Sequence, residues 1–466
     1  MGVPGLWAEL APFAHHTTWS DEAWRAFREH ARLLRVGIDA PLWLFHVSKA
    51  SGGARPQLRA LFYRLAKLFE RPVEPLFVFD GPGRPRTKRN AVVHGAVRPI
   101  EREFRALLDA FAFAHRTAPG EAEAELAWMN AAGIVDAVLT DDVDFFVFGG
   151  RIALRPTGDD ALALYDSSRM GLDRDAFVLV ALLSGGDYDT QGMARCGIRT
   201  ALALARGGYG ARLVDAFRHG EQALVSWRAD VCAELTDNPS GRLARRMPRL
   251  AHDFVRAFPH AALTRVVAQY TEPLTSGVAP RIAGRLDVGE LARALTALLG
   301  WSPETTAGRL ERVFRGLVLR SLLCSAPPPP RKPAAAPATP HRSPVSLITD
   351  YFAAVSVRSP PRERPTVSGV HRSASGDIEM VRIVCTCAQF AEQVEEALGA
   401  PAAPRKLSLW VHSTLVERDD TLRAALQRHT LKESPRRPAR GQTCLTDFFA
   451  PPSGDDSVEF VGMRKT

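Results

Sequence analysis

Acidic residues end several hydrophobic, strand-like runs of this chain, and this pattern constrains its fold more than any other feature. The runs are LLRVGID (33–39), PLFVFD (75–80) and IVDAVLTDDVD (134–144). In a parallel α/β sheet the carboxyl ends of the strands share one edge, and sites form at that edge. We therefore expect an α/β fold with a mostly parallel sheet, flanked by helices, whose acids converge at one edge.

Seven acids carry the predicted site. They are Asp39, Asp80, Glu121, Glu123, Asp142, Asp144 and Asp187. Close carboxylates cannot all stay ionised in a low dielectric, so such a cluster repels itself unless it is neutralised. Divalent cations resolve the conflict, and Mg²⁺ prefers carboxylate and water oxygens. The pattern predicts metal-dependent chemistry with Mg²⁺, for which Mn²⁺ could substitute.

The acids Glu121 and Glu123 follow Pro119-Gly120, at the start of the helical run EAEAELAWMNAA. Free N–H groups and the positive dipole end at a helix start favour anions. The alternative is that both acids serve only the dipole. Four neighbouring acids are interpreted differently. Glu125 and Asp136 are expected to be solvated, and Asp141 and Asp189 to cap loops or lie outside the metal shell, while Tyr188 is expected to pack beneath the site.

Six motifs follow one another in the order of the XPG/flap-endonuclease superfamily. They are MGVPGLW (1–7), VGIDA (36–40), FVFDGP (77–82), PGEAEAELA (119–127), TDDVDFFVFG (140–149) and LLSGGDYDTQGM (182–193). The chain resembles this superfamily over residues 1–325. Its MGVPGLW, DGPGRPRTKR and GGDYDTQG segments look most like the GEN/Yen-type Holliday-junction resolvases, particularly fungal ones.

The resemblance implies a PIN-like nuclease fold and a structure-specific endonuclease that hydrolyses branched DNA, both Holliday junctions and 5′ flaps, in repair and recombination. It assigns Asp39, Asp80, Glu121 and Glu123 to one metal position, and Asp142, Asp144 and Asp187 to the other. It also places Gly2 near the active site. Two alternatives remain: a threading 5′-flap endonuclease, and a non-catalytic repair adaptor that binds branched DNA and PCNA. An inert scaffold has no reason to keep a costly anionic pocket.

Basic residues outnumber acidic ones, 60 to 51, which gives a net charge of +9. Because the predicted site is anionic, this excess must lie elsewhere, where it favours nucleic acid as the partner. GMARCGIRTALALA (192–205) resembles the helix–two-turn–helix element of the superfamily. Its candidate DNA contacts are Gly192, Arg195, Gly197 and Arg199, and the alternative is an ordinary helical hairpin.

Two further basic groups are candidate DNA contacts. Arg84, Arg86, Lys88 and Arg89 are expected to form a cationic rim beside the site, or else a solvated charge run. Arg242, Arg245, Arg246 and Arg249 have the spacing of one helical face, although Pro248 interrupts that helix. For this second group a generic basic surface is an equally good interpretation.

The chain divides into six predicted segments. They are the N-terminal nuclease region (1–115), the internal nuclease region (116–190), the helix–two-turn–helix and helical DNA-binding region (191–325), a disordered Pro-rich linker (326–376), a small α+β unit that could be chromodomain-like (377–430), and a flexible tail (431–466). A stretch at 359–369 also reads as disordered. Composition supports the linker, which is too poor in large apolar residues to pack.

The tail contains a segment that resembles the PCNA-interacting box, in which Gln442 anchors and Leu445, Phe448 and Phe449 form an apolar plug. Chance or a packing role is the alternative. A nuclear location follows from a DNA substrate, and a dimer is expected on four-way junctions. No apolar stretch is long enough for a membrane span.

Overall fold

A computed structural model describes most of the chain. The described residues are 2–85, 87–88, 91–92, 98–158, 160–258, 263–280, 286–325, 365–372 and 378–432. Most of the predicted linker (326–364 and 373–376) and the PCNA-box-like segment at 442–449 lie outside this range. None of the helices within it combines the length and the apolar character that a bilayer crossing requires.

The described strands of the main body, within residues 2–325, are β1 His15–Thr18, β2 Leu34–Asp39, β3 Val73–Phe79, β4 Thr87–Lys88, β5 Ala91–Val92, β6 Ala114–Thr117, β7 Ala137–Leu139, β8 Ile152–Pro156 and β9 Ala161–Asp166. Seven of them form one sheet in the order β1-β9-β8-β7-β2-β3-β6. The five strands from β8 to β6 are parallel, whereas β9 and β1 pair antiparallel at one edge. The prediction of a mostly parallel α/β sheet is confirmed.

The described helices of this body are α1 Leu6–Leu10, α2 Trp19–His30, α3 Ala40–Val47, α4 Pro56–Phe69, α5 Pro99–Ala110, α6 Ala122–Ala131, α7 Asp144–Val147, α8 Ser167–Met170, α9 Arg174–Ser184, α10 Ile198–Arg206, α11 Tyr209–His219, α12 Glu221–Asp237, α13 Pro248–Ala257, α14 Leu263–Thr271, α15 Val288–Leu299, α16 Pro303–Gly308 and α17 Glu311–Ser325.

Helices cover both faces of the sheet, and this explains why the central strands are apolar without alternation. All seven residues of β3 are buried. Phe77 packs into the hydrophobic cluster that contains Trp43 and Phe104, whereas its neighbour Val78 belongs to a second cluster on the opposite face. Two separate cores therefore hold the strand ends in place, and with them the acids.

The C-terminal unit is a three-stranded antiparallel sheet with three helices. Its elements are β10 Thr366–Arg372, β11 Ile378–Thr386, α18 Ala388–Leu398, β12 Lys406–His412, α19 Ser413–Arg418 and α20 Asp420–Lys432. The strands and helices expected between 377 and 430 are present. The prediction of disorder up to residue 376 is wrong for β10, where Val367 and Val370 pair with β11 and are half-buried. The Pro- and Arg-rich residues before this strand masked its signal.

This unit packs directly on the main body. Phe390 of α18 lies 6.2 Å from Phe314 of α17, ring centroid to ring centroid. His412 lies 5.9 Å from Trp24 in the same measure, and the Arg418 guanidinium lies 5.0 Å from the Phe27 ring. Side chains of the unit share one hydrophobic cluster with the body. The unit thus extends the core of the protein.

Candidate active site

The carboxyl ends of β2 and β3 carry the first two acids of the site. The Asp39 carboxylate is buried and accepts a hydrogen bond from the Leu42 N–H at 3.2 Å, so it also caps α3. Asp80 follows β3, and its Oδ1 accepts a hydrogen bond from the Ala122 N–H at 3.0 Å. That bond joins the end of the strand to the start of α6.

The start of α6 brings in the second pair of acids. Glu121 is the N-cap residue, and Glu123 lies in the first turn. The Tyr188 hydroxyl donates a hydrogen bond to Glu121 from the loop after α9. The ring of Tyr188 packs against Tyr270, with 4.6 Å between centroids. Both expectations, acids at the helix start and a tyrosine beneath them, are confirmed.

The loop after β7 brings in the third pair, Asp142 and Asp144. The Asp144 N–H donates a hydrogen bond to Asp142 Oδ1 at 3.1 Å, and the Val3 N–H donates one to Asp144 Oδ1 at the same distance. Gly2 has φ +77°, and a Cβ added there would lie 2.2 Å from Asp144 Oδ1 and 2.4 Å from Asp142 Oδ1. Only glycine fits between these acids, which places Gly2 at the site as expected.

A lysine lies among the acids. The Lys88 ammonium contacts Glu121 and lies 3.3 Å from Asp187 Oδ2 and 3.7 Å from Glu123 Oε1. Arg84 also turns inward, with 2.8 Å between its NH1 and Asp80 Oδ2. For these two residues the prediction of a cationic rim is wrong, because the buried carboxylates attract the nearest positive charges. Arg86 and Arg89 lie outside the described residues.

The seven acids form one electrostatic unit, here called the acid pocket. Burial, and then the charge of Asp80, raises the pKa of Asp39 to about 7. Burial also raises the pKa of Glu123, and the charge of Asp142 raises it further. Burial likewise raises the pKa of Asp142, with a further contribution from the charge of Asp187. Burial alone would lower the pKa of Lys88, but the acids around it raise that pKa well above its usual value. The acid pocket therefore has a strong demand for positive charge.

The donor set suits a hard divalent cation, since it consists of buried and half-buried carboxylates, and burial raises the pKa of Asp39, Glu123 and Asp142. Among the described residues, no three His, Cys, Asp or Glu side chains are already arranged to hold a metal ion. The Lys88 ammonium lies among the carboxylates instead. The residue types fit Mg²⁺ or Mn²⁺, provided that Lys88 withdraws when the ions bind.

Acids that adjoin the pocket have separate partners. Asp141 turns away, toward His46 at 3.2 Å and Arg155 at 3.3 Å, which confirms its position outside the cluster. Asp189 accepts a hydrogen bond from the Gln191 N–H at 3.1 Å and so caps its loop, as expected.

Two acids expected to be solvated are instead paired. Asp136 lies between Arg32 and Arg35, at 2.6 and 2.7 Å. These two guanidiniums outweigh its burial and lower its pKa to about 2. Glu125 is fully buried and accepts hydrogen bonds from Ser276. Both predictions are wrong, because the partners are distant in sequence and unrecognisable before folding.

The predicted helix–two-turn–helix element begins in the loop that connects α9 to α10, where the structure has one turn, at 194–195. Gly192 has φ +58°, and Gly197 is the N-cap residue of α10 with no capping side chain. Arg195, which stands where the family commonly has glycine, adopts φ +65° and keeps that left-handed geometry. Its guanidinium lies 3.3 Å from Asp253, and exposed Arg199 hydrogen-bonds Glu9 at 2.9 Å. Both arginine side chains are exposed at the surface.

The second arginine group does not form a helical stripe. Arg242, Arg245 and Arg246 precede α13, which begins at Pro248, so that only Arg249 is helical. The proline takes the first helical position, where its missing N–H costs nothing. The predicted common face is therefore wrong.

One part of the site left no signal in the sequence. Tyr270 and the extended residues 272–280 after α14 lie against the loops that carry Asp80 and Glu121. The segment TEPLTSG looks like an ordinary surface loop. Its role depends on contacts with residues far away in the chain.

Sequence comparisons agree with this site. The XPG I-region family model matches residues 113–187. "Flap endonuclease GEN homolog 1" of Mus musculus is 30% identical over 264 residues, which cover 50% of this chain and 27% of that protein. "Flap endonuclease GEN-like 1" of Arabidopsis thaliana is 29% identical, over 44% of this chain and 39% of that protein. The matches thus span about a quarter to two fifths of these relatives.

Structure comparisons cover more of the chain. A eukaryotic junction-resolving enzyme GEN-1 with cesium superposes with a TM-score of 0.69 at 27% identity, over 93% of this chain and 100% of that one. The Holliday junction-resolving enzyme GEN1 with product DNA and Mg²⁺ gives a TM-score of 0.67 at 26% identity, over 92% and 100%. The PIN-like nuclease fold is thereby confirmed.

Proposed function

The chain belongs to the XPG/flap-endonuclease superfamily, close to its GEN-type members, and we propose that it is a metal-dependent, structure-specific DNA endonuclease acting on Holliday junctions and 5′ flaps. The observation that carries this proposal is the acid pocket, in which seven carboxylates from distant parts of the chain converge. A GEN1 complex with product DNA, Mg²⁺ and Mn²⁺ supports divalent ions as the cofactor.

The acids divide between two proposed metal positions. Asp39, Asp80, Glu121 and Glu123 would hold one ion, and Asp142, Asp144 and Asp187 the other. Such ions neutralise the scissile phosphate, activate a water and stabilise the leaving oxygen. The chain itself orients the ligands: Tyr188 fixes Glu121, the Ala122 N–H fixes Asp80, and the Val3 N–H fixes Asp144.

The DNA is proposed to bind through phosphate contacts and shape. The helix–two-turn–helix element offers Gly192, Arg195, Gly197 and Arg199 to a duplex branch, where backbone N–H groups and guanidiniums suit phosphates. Gly2 is proposed to lie near the DNA at the acid pocket, because it adjoins Asp142 and Asp144. Phosphate contacts carry no sequence information, so selectivity should follow the branch geometry.

Cleavage of a matched panel of flaps, forks and four-way junctions tests the proposal. The wild-type protein with Mg²⁺ should cut, leaving 5′-phosphate and 3′-hydroxyl ends. Asp80→Ala and Asp142→Ala should abolish cleavage but retain binding to branched DNA, and Asp215→Ala on the exposed face of α11 is the control. Normal turnover by both site variants would remove the assignment. Binding of junctions by the wild type without any cleavage would favour the adaptor alternative.

The tail is proposed to bind the sliding clamp PCNA through Gln442, Leu445, Phe448 and Phe449, in a nuclear protein. Support comes only from the sequence pattern. Phe448→Ala combined with Phe449→Ala should abolish clamp binding and leave cleavage of short oligonucleotides unchanged. Equal clamp affinity of both proteins would eliminate this partner.

A further inference from the structure

A segment without helix or strand lies against the loops that carry Asp80 and Glu121. It comprises residues 272–280, after α14, and is here called the strap. Tyr270 precedes it and is buried beneath the pocket. A Cβ added at Gly186 would lie only 2.6 Å from the Tyr270 hydroxyl oxygen. The chain thus runs from a buried tyrosine to the loops that precede Glu121 and follow Asp80.

A buried carboxylate holds the strap in place. Glu125 Oε2 accepts a hydrogen bond from the Ser276 N–H at 2.8 Å, and its Oε1 accepts one from the Ser276 hydroxyl at 2.5 Å. Arg116 NH1 lies 3.2 Å from Glu125 Oε1 and donates to the Val278 carbonyl at 2.6 Å. A fully buried carboxylate is tolerated only with such partners. The strap is therefore fixed to α6 and β6.

Leu274 is the third residue of the strap. A Cβ at Gly83 would lie 2.7 Å from Leu274 Cδ2, and a Cβ at Gly120 would lie 3.0 Å from the Leu274 carbonyl oxygen. Both glycines thus make room for this leucine. Gly83 follows Asp80 by three positions, and Gly120 directly precedes Glu121. Leu274 nevertheless leaves 56% of its surface exposed.

We propose that Leu274 contacts the base of the nucleotide that flanks the scissile phosphate, and so selects which phosphodiester enters the acid pocket. This inference rests on the proposed nuclease function. An apolar contact makes no sequence-specific hydrogen bond, which suits an enzyme that reads DNA shape. The Glu125–Ser276 clamp keeps Leu274 preorganised, as a positioning group must be. Val225, exposed by 42% on α12, is a matched control.

The test is single-turnover cleavage of a four-way junction, with nick positions mapped to single nucleotides. Leu274→Ala should spread nicks to neighbouring phosphodiesters and slow cleavage about tenfold, the loss expected for one leucine contact. Affinity for the uncut junction in Ca²⁺ should change less than about twofold, because phosphates dominate it. Leu274→Met should restore the wild-type nick, and Val225→Ala should match wild type.

The clamp provides a second variant. Ser276→Ala removes the hydroxyl bond to Glu125, and it should broaden the nick positions in the same way. A merely structural role would lower the melting temperature without moving the nick. If Leu274→Ala nicks the same phosphodiester at the wild-type rate, the inference is overturned while the nuclease function stands. If wild type itself does not cut, the proposed function fails first.

Discussion

The ammonium nitrogen of Lys88 lies 3.3 Å from Asp187 Oδ2, although the two residues are 99 positions apart in the chain. The β4–β5 hairpin places this positive charge among the acids, where it also approaches Glu121 and Glu123. Without bound ions it supplies part of the charge that the buried carboxylates require. Lys88 and a divalent cation therefore compete for the same oxygens.

Replacing Lys88 with methionine should tighten metal binding in the absence of DNA. The variant keeps the length of the side chain but loses the competing charge, so we expect Mn²⁺ affinity to rise about tenfold, as one charge pair at short range allows. Titration calorimetry on the intact protein measures this. Lys49→Met, at an exposed position after α3, is the control. Equal Mn²⁺ affinity of the Lys88 variant and wild type would refute the competition.

The sequence was sufficient to predict the acids because a local pattern decides their place. An apolar strand that ends in Asp39 or Asp80 presents the carboxylate at the sheet edge, whatever else surrounds it. The partners of the acidic side chains depend instead on contacts that form only when the chain folds. Lys88 was expected at the rim, and Glu125 in solvent, because Asp187 and Ser276 become their neighbours only after folding. The position of the strap could not be predicted from the sequence for the same reason.

Low pH should destabilise the folded protein through protonation of His412. Burial, and then the charge of Arg28, lowers the pKa of this histidine from 6.5 to about 4. Its Nδ1 accepts a hydrogen bond from the Thr414 N–H at 3.1 Å, which requires the neutral ring. Since the folded pKa lies below the unfolded one, the stabilisation is complete above pH 6.5 and is lost as the pH falls toward 4.

We expect this loss to be on the order of 1–2 kcal/mol, after allowance for the partial exposure of the ring. Urea unfolding followed between pH 7.5 and about 4.5 measures it. His412→Asn retains a capping group without titrating, so its unfolding free energy should depend less on pH. His30→Asn, at an exposed position, should behave as wild type. An unchanged pH dependence in His412→Asn would contradict the expectation.

Replacing Arg195 with glycine should weaken DNA binding without lowering the thermal stability of the protein. Arg195 has φ +65°, a conformation that costs a non-glycine residue roughly 1 kcal/mol. Arg195→Gly relieves this strain, so the melting temperature should not fall. Junction affinity should weaken, and the slope of log affinity against log salt should decrease by about one phosphate contact. Arg169→Gly, on short helix α8, is the control for loss of an exposed arginine. An unchanged salt slope for Arg195→Gly would exclude this contact.

Substrate choice depends on the segment between Asp80 and α5. Its described residues form only the two-residue strands β4 and β5, and no helix is present among them. The prolines and glycines of DGPGRPR disfavour helix formation. Nothing in the described part of this segment builds a tall arch through which a single strand would have to thread.

A site without such an arch would admit a continuous duplex branch. We therefore expect a bulky group on the 5′ end of a flap to leave cleavage within about twofold of the unblocked substrate, because no end has to pass through the protein. Four-way junctions should receive symmetric nicks from two protomers assembled on the DNA. Cleavage of blocked and unblocked flaps, alongside an intact junction and with Asp142→Ala as the inactive control, measures both outcomes. Strict dependence on a free 5′ end, with junctions left uncut, would instead identify a threading flap endonuclease.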